Sequence, residues 1–312
     1  MKKFMKFCGI IVAIALVIGL VLLLTGSLGG GLPKLIEQVK NGELNIGPED
    51  FGWNSGWKTY SLGDGSMFND AYEKIENEEF YEASFPRADI SNLSVNLGGC
   101  EVEMTESPDE AFHISVKDIG TFQTYTENGT LHINGILTEA TFWGESNHMK
   151  VEILVPTGTA FENVSLELGA GTFHIDSLRA NSCVAEIGAG QLTAEELVAE
   201  NFSCEVGAGQ AVIRNSGFVS SVTLSVGAGE LKLTGEIPCD MSVECGMGNV
   251  EIEVLNSREQ DHNYEMECAA GNLQAGSHSI SGLAGDKSVN NGAGSTYTLK
   301  CAMGNMKVTF GE

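Results

Sequence analysis

Residues 164–252 contain five copies of one pattern, VSLELGAGTFHI, CVAEIGAGQLTA, FSCEVGAGQAVI, VTLSVGAGELKL and MSVECGMGNVEI. Successive copies begin 19, 19, 20 and 19 residues apart. A fixed period near 20 residues is typical of a solenoid, in which each repeat packs on its neighbours. We therefore predict an all-β fold, a parallel β-helix with about 19–20 residues per coil. The copies begin at Val164, Cys183, Phe202, Val222 and Met241.

Each copy alternates apolar and polar residues on both sides of its glycines. In the first copy Val164, Leu166 and Leu168 alternate with Ser165 and Glu167, and the alternation resumes after the glycines. A period of two is typical of a strand that buries one face. Each copy should therefore form a strand, a glycine corner, a second strand and a loop, with parallel pairing between copies.

Two glycines flank the middle residue of every corner. Glycine adopts a positive φ angle at little cost and lets two backbones approach closely, so we expect the corners to stack in register. The inward residues just before the corners should then form one buried column, made of Leu168, Ile187, Val206 and Val226. The corner glycines are Gly169, Gly171, Gly188, Gly190, Gly207, Gly209, Gly227, Gly229, Gly246 and Gly248.

Residues 1–30 predict a membrane anchor. Lysine occurs at positions 2, 3 and 6, and residues 7–25 contain no charged residue. An apolar run of this length can span a bilayer as one transmembrane α-helix. Lysines favour the cytoplasmic side, so we expect an uncleaved single-pass signal anchor with the C-terminal part outside the cytoplasm. A cleaved signal peptide is the alternative.

The rest of the chain divides into a predicted acidic juxtamembrane stalk, residues 31–87, and a predicted β-solenoid, residues 88–312. The chain carries 42 acidic and 17 basic residues, which gives a net charge of −25. Such a surface repels nucleic acid and anionic lipid headgroups. We therefore expect no nucleic-acid partner, and membrane association through the N-terminal helix.

The repeat continues less regularly before the five copies. Residues 90–104 align with it, with Gly98-Gly99 at the corner. Asn128-Gly129 lies between two strand-like runs and predicts a β-hairpin. This region is therefore expected to be an irregular coil with an inserted hairpin.

Two further units are predicted after residue 254, at 264–275 and 297–310, with a loop rich in Gly, Ser and Asn at 276–295. The unit at 297–310 would be the last coil of the solenoid. Lys300 and Lys307 would then lie on its exposed edge, where charge discourages pairing with another chain.

Cysteine recurs at inward positions of the repeat. Cys245, Cys268 and Cys301 precede the corner in three consecutive units, so they should stack. The simplest interpretation is that these side chains fill the core as small apolar groups. Disulfides are the alternative outside the cytoplasm, and the redox state stays open. The inward cysteines are Cys183, Cys204, Cys245, Cys268 and Cys301.

Glutamate recurs at the outward position two residues before the corner. Carboxylate oxygens suit Ca²⁺, so this row is a weak candidate for a cation-binding face. The alternative is a solvated face without a ligand. The candidate residues are Glu167, Glu186, Glu205, Glu244 and Glu267.

No catalytic residue and no cofactor site is predicted. The sequence lacks the G-x-S-x-G, H-E-x-x-H, Walker and Rossmann motifs. The nearest approach to an active-site cluster is Asp176, Glu195 and Arg214, at equivalent positions of consecutive units. A carbohydrate-active β-helix enzyme would need such a cluster in a groove, so this alternative function stays open.

The run VEILVPTGTAFENVSLELGAGTFHI, the GAG-centred units and the closing YTLKCAMGNMKVTF resemble a bacterial family, the β-strand-repeat "putative adhesins". The resemblance covers about residues 88–312. It implies a β-helical domain on the bacterial cell surface without established catalytic residues. Some members are similar to membrane proteins encoded beside envelope-stress regulators. The implied function is adhesin-like binding of a cell-wall polymer or surface protein, or envelope-stress signalling; a structural spacer is a further alternative.

Overall fold

The computed structural model describes residues 67–137, 149–282 and 284–311. The predicted membrane anchor and residues 31–66 of the predicted stalk lie outside them. The described residues form 21 strands and two short 3-10 turns, Arg87–Asp89 and Glu259–Asp261. The first strands are β1 (Ile75–Glu76), β2 (Phe80–Pro86), β3 (Asn92–Gly98), β4 (Cys100–Ser107), β5 (Ala111–Lys117), β6 (Thr121–Glu127), β7 (Thr130–Ile136), β8 (Met149–Pro156), β9 (Phe161–Leu168) and β10 (Gly171–Ile187). The remaining strands are β11 (Gln191–Val206), β12 (Gln210–Val226), β13 (Glu230–Glu236), β14 (Asp240–Cys245), β15 (Asn249–Leu255), β16 (His262–Cys268), β17 (Asn272–Ala275), β18 (His278–Ser281), β19 (Gly285–Val289), β20 (Ser295–Cys301) and β21 (Asn305–Gly311).

The coils stack in two columns of strands that meet at the glycine corners. Column 1 contains the strands that precede a corner, and column 2 contains the strands that follow one. Successive coils of the central region pair in parallel, from β9 to β12 in column 1 and from β4 to β15 in column 2. Instead of the predicted loop between coils, β10, β11 and β12 run without interruption from column 2 into column 1.

The predicted apolar column before the corners is confirmed. Ile187 pairs with Leu168 on one side and with Val206 on the other, and Val206 pairs with Val226. All four side chains are at most 2% exposed. The column forms because each coil places the same apolar residue over the same residue of its neighbour, so that no coil buries this face alone.

The corners need glycine mainly for close approach between backbones. Of the ten predicted corner glycines, all within the described residues, Gly171 alone has φ in the left-handed region, at +103°. A Cβ atom at Gly209 would lie 2.2 Å from the carbonyl oxygen of Gly190, and one at Gly229 would lie 2.3 Å from that of Gly209. Tolerance of positive φ therefore explains glycine at one of these positions, Gly171, while the expectation of stacked backbones is confirmed.

The coils at the C-terminal end do not follow chain order. The coil of β20 and β21 pairs with β14 and β15 on one side. On its other side it pairs with β16 and β17, which precede it in sequence. The coil at 295–311 is therefore enclosed between two others. The prediction that it is the terminal coil, with Lys300 and Lys307 on an exposed edge, was wrong.

The N-terminal end has a similar inversion. The coil of β3 and β4 lies between the coil of β7 and β8 and the coil that begins with β9. The predicted hairpin is confirmed, since β6 and β7 pair antiparallel across Asn128 and Gly129, which have φ of 50° and 75°. In addition, β1 and β2 pair antiparallel with β6 and β5. This part of the predicted stalk therefore belongs to the sheet.

Antiparallel strands also lie outside the coil of β16 and β17. β18 pairs with β17, and β19 pairs with β16. The prediction of a loop across 276–295 was therefore wrong for these two strands. Gly, Ser and Asn are usual in loops, but here they occupy short strands that cover the edges of a coil.

Candidate functional site

The outer face of column 1 carries a row of hydroxyl groups. Neighbours in this row are paired across adjacent strands, as Ser203 is with Thr223 and Thr223 with Ser242. Val184 interrupts the row between Ser165 and Ser203. With about 4.8 Å between strands, seven strands give a row about 29 Å long. We call this the hydroxyl row; its members are Ser94, Ser165, Ser203, Thr223, Ser242 and Thr298.

A second row, two residues earlier in each strand, consists of amides and hydroxyls with one carboxylate, Asp240. The Asn163 side-chain amide donates to Asn92 Oδ1 over 2.8 Å, and the Ser221 hydroxyl donates to Asn201 Oδ1 over 2.8 Å. These bonds between coils fix the side chains, because each one joins two adjacent strands. Together the two rows form a regular, mainly uncharged strip along the solenoid.

The predicted glutamate row is present but interrupted. Glu167, Glu186 and Glu205 are paired on adjacent strands. Glu244 and Glu267 are separated by Lys300, whose ammonium nitrogen lies 3.4 Å from Glu244 Oε1. Within the described residues, no group of three or more His, Cys, Asp or Glu side chains is arranged to hold a metal ion. The cation-binding face therefore stays a prediction without an assembled site.

The structure places Asp176, Glu195 and Arg214 on adjacent strands of column 2, next to the paired residues of β10, β11 and β12. Glu195 Oε1 lies 2.6 Å from the Arg214 guanidinium, and Asp176 Oδ1 lies 3.1 Å from His174 Nε2. All four side chains are between 42% and 50% exposed. Each carboxylate already has a nitrogen-containing partner at the surface: Glu195 and Arg214 join adjacent strands, whereas Asp176 and His174 lie on the same strand, β10.

A further group of paired charges in column 2 surrounds Lys232. Lys232 lies 2.9 Å from Glu230 Oε1 and 4.0 Å from Glu251 Oε2. The carboxylate of Glu230 also accepts a bond of 2.7 Å from the Gln210 amide. Column 2 therefore presents an irregular mixture of paired charges, whereas column 1 presents regular rows.

The cysteines occupy the core, as predicted. All seven cysteines of the described residues are buried and unpaired, including Cys100 and Cys239. The pairings place Cys301 between Cys245 and Cys268, so the three thiols stack in an order that differs from chain order. Burial raises the pKa of the Cys183 thiol to about 12, which leaves it without thiolate character.

The structure contains one polar cluster, around His262, that the sequence did not predict. His262, which is 2% exposed, lies 2.7 Å from both Ser257 Oγ and Ser295 Oγ. Its ring stacks on Tyr297 with 4.1 Å between centroids. No sequence spacing could identify this cluster, because Ser295 and Tyr297 reach His262 only through the inverted order of the last two coils.

Stacked coils with glycine corners and regular polar rows define an all-β solenoid protein. The chain belongs to the Toastrack DUF4097 family, whose model matches residues 90–278. The resemblance to a β-strand-repeat, adhesin-like family of unknown function is thereby confirmed. No curated protein matches the chain.

Several solved structures are similar to this chain. A "putative adhesin" from Bacteroides fragilis is 13% identical, with a TM-score of 0.40, over 75% of this chain and 99% of that one. Another from Parabacteroides distasonis is 12% identical, with a TM-score of 0.42, over 76% and 99%. A "putative lipid binding protein" from Parabacteroides distasonis is 16% identical, with a TM-score of 0.33, over 75% and 98%.

Among the residues that the structure describes, none forms a helix with the length and hydropathy needed to cross a bilayer. The predicted span in residues 1–30 lies outside those residues, so it stays a prediction.

Proposed function

We propose that this protein is a non-enzymatic, membrane-anchored binding module that recognises a cell-wall polymer outside the cytoplasm. The hydroxyl row is the observation that carries the proposal. It repeats one chemical group at the spacing of the strands along most of the solenoid. A repeating surface of this kind suits a ligand that itself repeats, because each coil can contribute the same contact.

The chemistry of the row favours an uncharged polymer. Hydroxyl groups both donate and accept hydrogen bonds, so they match the hydroxyls and amides of a glycan. The glutamates beside the row and the net charge of −25 repel anionic polymers. The expected ligand is therefore a neutral glycan chain of the wall, in preference to a phosphate-rich polymer.

The anchor and the location are parts of the same proposal. Residues 7–25 are uncharged and follow three lysines, a pattern typical of a signal anchor. A binding face outside the membrane would then meet the wall directly. The neutral core thiols are compatible with this location, since thiols without thiolate character react slowly with oxidants.

The proposal can be tested with the full chain in detergent micelles. Sedimentation with wall glycan stripped of anionic polymers measures binding, and replacing Ser203 and Thr223 together by Gln lengthens two adjacent members of the hydroxyl row. We expect at least a tenfold loss of affinity. The matched control replaces Thr193 and Val212 by Gln, at outward positions of column 2 on the same two strands, β11 and β12, and should bind like the wild type.

Three results would contradict the proposal. Equal losses in both double variants would mean that binding does not depend on column 1. Stronger binding to wall material that retains its anionic polymers would reverse the inferred ligand charge. No binding to any wall fraction would favour the structural spacer.

A further inference from the structure

At the C-terminal end of the solenoid the coils do not stack in the order of the chain. After β15 the chain first forms the outermost coil, β16 and β17, and the antiparallel strands β18 and β19. It then forms β20 and β21, which pair with β16 and β17. We call residues 256–282 and 284–294 the C-terminal cap. The cap covers the edges of β20 and β21 and encloses the inward side chains of the coil at 295–311.

His262 joins the cap to the coil beneath it. Its Nδ1 lies 2.7 Å from Ser295 Oγ on β20, and its Nε2 lies 3.2 Å from the Tyr297 hydroxyl. Its ring stacks on Tyr297 and on Phe310, the latter at 5.8 Å between centroids. Within the cap, Nε2 also lies 2.7 Å from Ser257 Oγ. One imidazole therefore contacts both strands of the enclosed coil.

The surroundings of His262 provide little compensation for a positive charge. The Tyr297 hydroxyl on β20 donates its proton to the carbonyl oxygen of Ile237, so it does not donate to His262. Burial raises the pKa of the phenol groups of Tyr264 and Tyr297, and both stay neutral at physiological pH. Cys239, beyond Tyr297, is a buried thiol whose pKa burial also raises.

The charge that acts on His262 is that of Asp261, which precedes it in the chain. Its carboxylate is already held by the guanidinium of Arg258 at 3.0 Å, and this bond lowers the pKa of the Asp261 carboxyl. Desolvation lowers the pKa of His262 despite this carboxylate. Neutral His262 is therefore the form that the folded cap accommodates.

A second histidine of the cap, His278, lies between two charged side chains. Its Nδ1 lies 3.2 Å from the Lys287 ammonium, and its Nε2 lies 3.1 Å from Glu259 Oε1. Glu259 is fixed by the Ser277 backbone N–H at 2.8 Å, and the edge of the Tyr264 ring faces His278.

We propose that the C-terminal cap is an acid-sensitive element, which detaches from the coil of β20 and β21 when His262 takes up a proton. The opened cap would expose the edges of β20 and β21 while the central coils stay folded. This proposal does not depend on the wall ligand, because the hydroxyl row lies mainly on the central coils.

The closed cap favours neutral His262, so acid should favour the open cap. An exposed histidine has a pKa near 6.5, so the opened cap binds more protons below that pH, and the closed cap loses stability as pH falls. Above about pH 6.5 His262 is neutral in both the closed and the open cap, so cap opening no longer depends on pH. For His262 alone, the population of the open cap rises up to about tenfold per pH unit below 6.5.

Hydrogen–deuterium exchange of the full chain in detergent micelles tests this. After correction for intrinsic exchange rates, protection of β16–β19 should fall at least tenfold between pH 7.5 and pH 5.0, while protection of β9–β12 stays unchanged. His262→Gln and His262→Phe remove the buried titratable group. Both should reduce the ratio of cap protection at pH 7.5 to cap protection at pH 5.0. His174→Gln, which changes an exposed histidine on a central coil, should behave like the wild type.

Unchanged protection of the wild-type cap at pH 5.0 would overturn the proposal, whatever the variants do. A uniform loss across cap and central coils would also overturn it, since that result means global unfolding. So would a His262 variant whose cap is protected at pH 7.5 and still opens with the full wild-type ratio at pH 5.0.

Discussion

Lys300 lies beside Glu244, with 3.4 Å between the ammonium nitrogen and Oε1, although 56 residues of chain separate them. The pair exists because the coil at 295–311 is inserted between two coils that both carry glutamate at this outward position. On its other side Lys300 is paired with Glu267. One lysine thus separates two carboxylates that would otherwise occupy adjacent strands.

Replacing Lys300 by Glu should destabilise this end of the solenoid. The change puts three carboxylates on adjacent strands about 4.8 Å apart and removes the ion pair with Glu244. Because these side chains are half exposed, we expect a loss of about 1–2 kcal/mol at low salt, measured by denaturant unfolding. Lys300→Gln, which adds no negative charge, should cost less. A loss that persists undiminished at 1 M salt would contradict this electrostatic origin.

The corner glycines give a second prediction, which concerns backbone packing. In Gly209→Ala the new Cβ would lie 2.2 Å from the carbonyl oxygen of Gly190, and backbone cannot move aside as a flexible side chain would. We expect a loss of about 3 kcal/mol in the free energy of unfolding. Gly217→Ala, on strand β12, which begins directly after Gly209, is the control, because its Cβ would meet no atom within 4 Å. Equal losses in both variants would show that strand conformation, and not close approach, sets the requirement for glycine.

The central coils could be predicted from sequence because each side chain there repeats the role of its counterpart 19 or 20 residues away. Alternation placed Leu168 and Ile187 inside, and the fixed period placed them in contact. Close approach, rather than positive φ, explains most corner glycines, and this distinction depends on the distance to the next coil, which sequence does not supply.

The ends could not be predicted in the same way, because a repeat specifies which coils can pair and leaves their order open. Cys268 and Cys301 occupy equivalent positions, so either could have stacked on Cys245, and the structure selects Cys301. The ion pair of Lys300 and the contacts of His262 both follow from that order. The hydroxyl row could be derived from the register, whereas the His262 cluster required the structure.

The core thiols should be unreactive in the folded protein. Burial raises the pKa of the Cys100 and Cys301 thiols to about 12, so no thiolate forms at pH 8. Iodoacetamide at pH 8, followed by peptide mass mapping, should label none of the seven described cysteines before unfolding and all of them afterwards. Ala208→Cys, at an exposed corner, is the positive control and should be labelled in the native state. Rapid native labelling of Cys301 would mean that the C-terminal coils open already at this pH.

The same thiols predict a loss of stability in alkali. The pKa values of Cys100, Cys183 and Cys301 are higher in the folded state than the value near 8.5 of an exposed thiol, so the stability these thiols contribute is complete below about pH 8.5 and falls as pH rises above it. Denaturant unfolding at pH 7.5 and pH 10 should therefore show a lower free energy of unfolding at pH 10. Cys183→Ala should reduce this difference, since it removes one buried thiol whose pKa is raised to about 12. An identical difference in the variant would assign the alkaline loss to other groups.

The enzymatic alternative predicts that Asp176 and Glu195 act on a glycan. In the structure Glu195 lies 2.6 Å from Arg214 on the adjacent strand, and Asp176 lies 3.1 Å from His174 on its own strand, so both carboxylates have surface partners. We therefore expect Asp176→Asn and Glu195→Gln to leave glycan binding within about twofold of wild type and to cost at most about 1 kcal/mol of stability. Binding assays and product analysis by mass spectrometry should be run on both variants and on Arg214→Gln, which breaks the same ion pair without removing a carboxylate. Glycan cleavage by the wild type that disappears in Asp176→Asn and Glu195→Gln but persists in Arg214→Gln would establish the enzyme, because only the carboxylates could then supply acid and base catalysis.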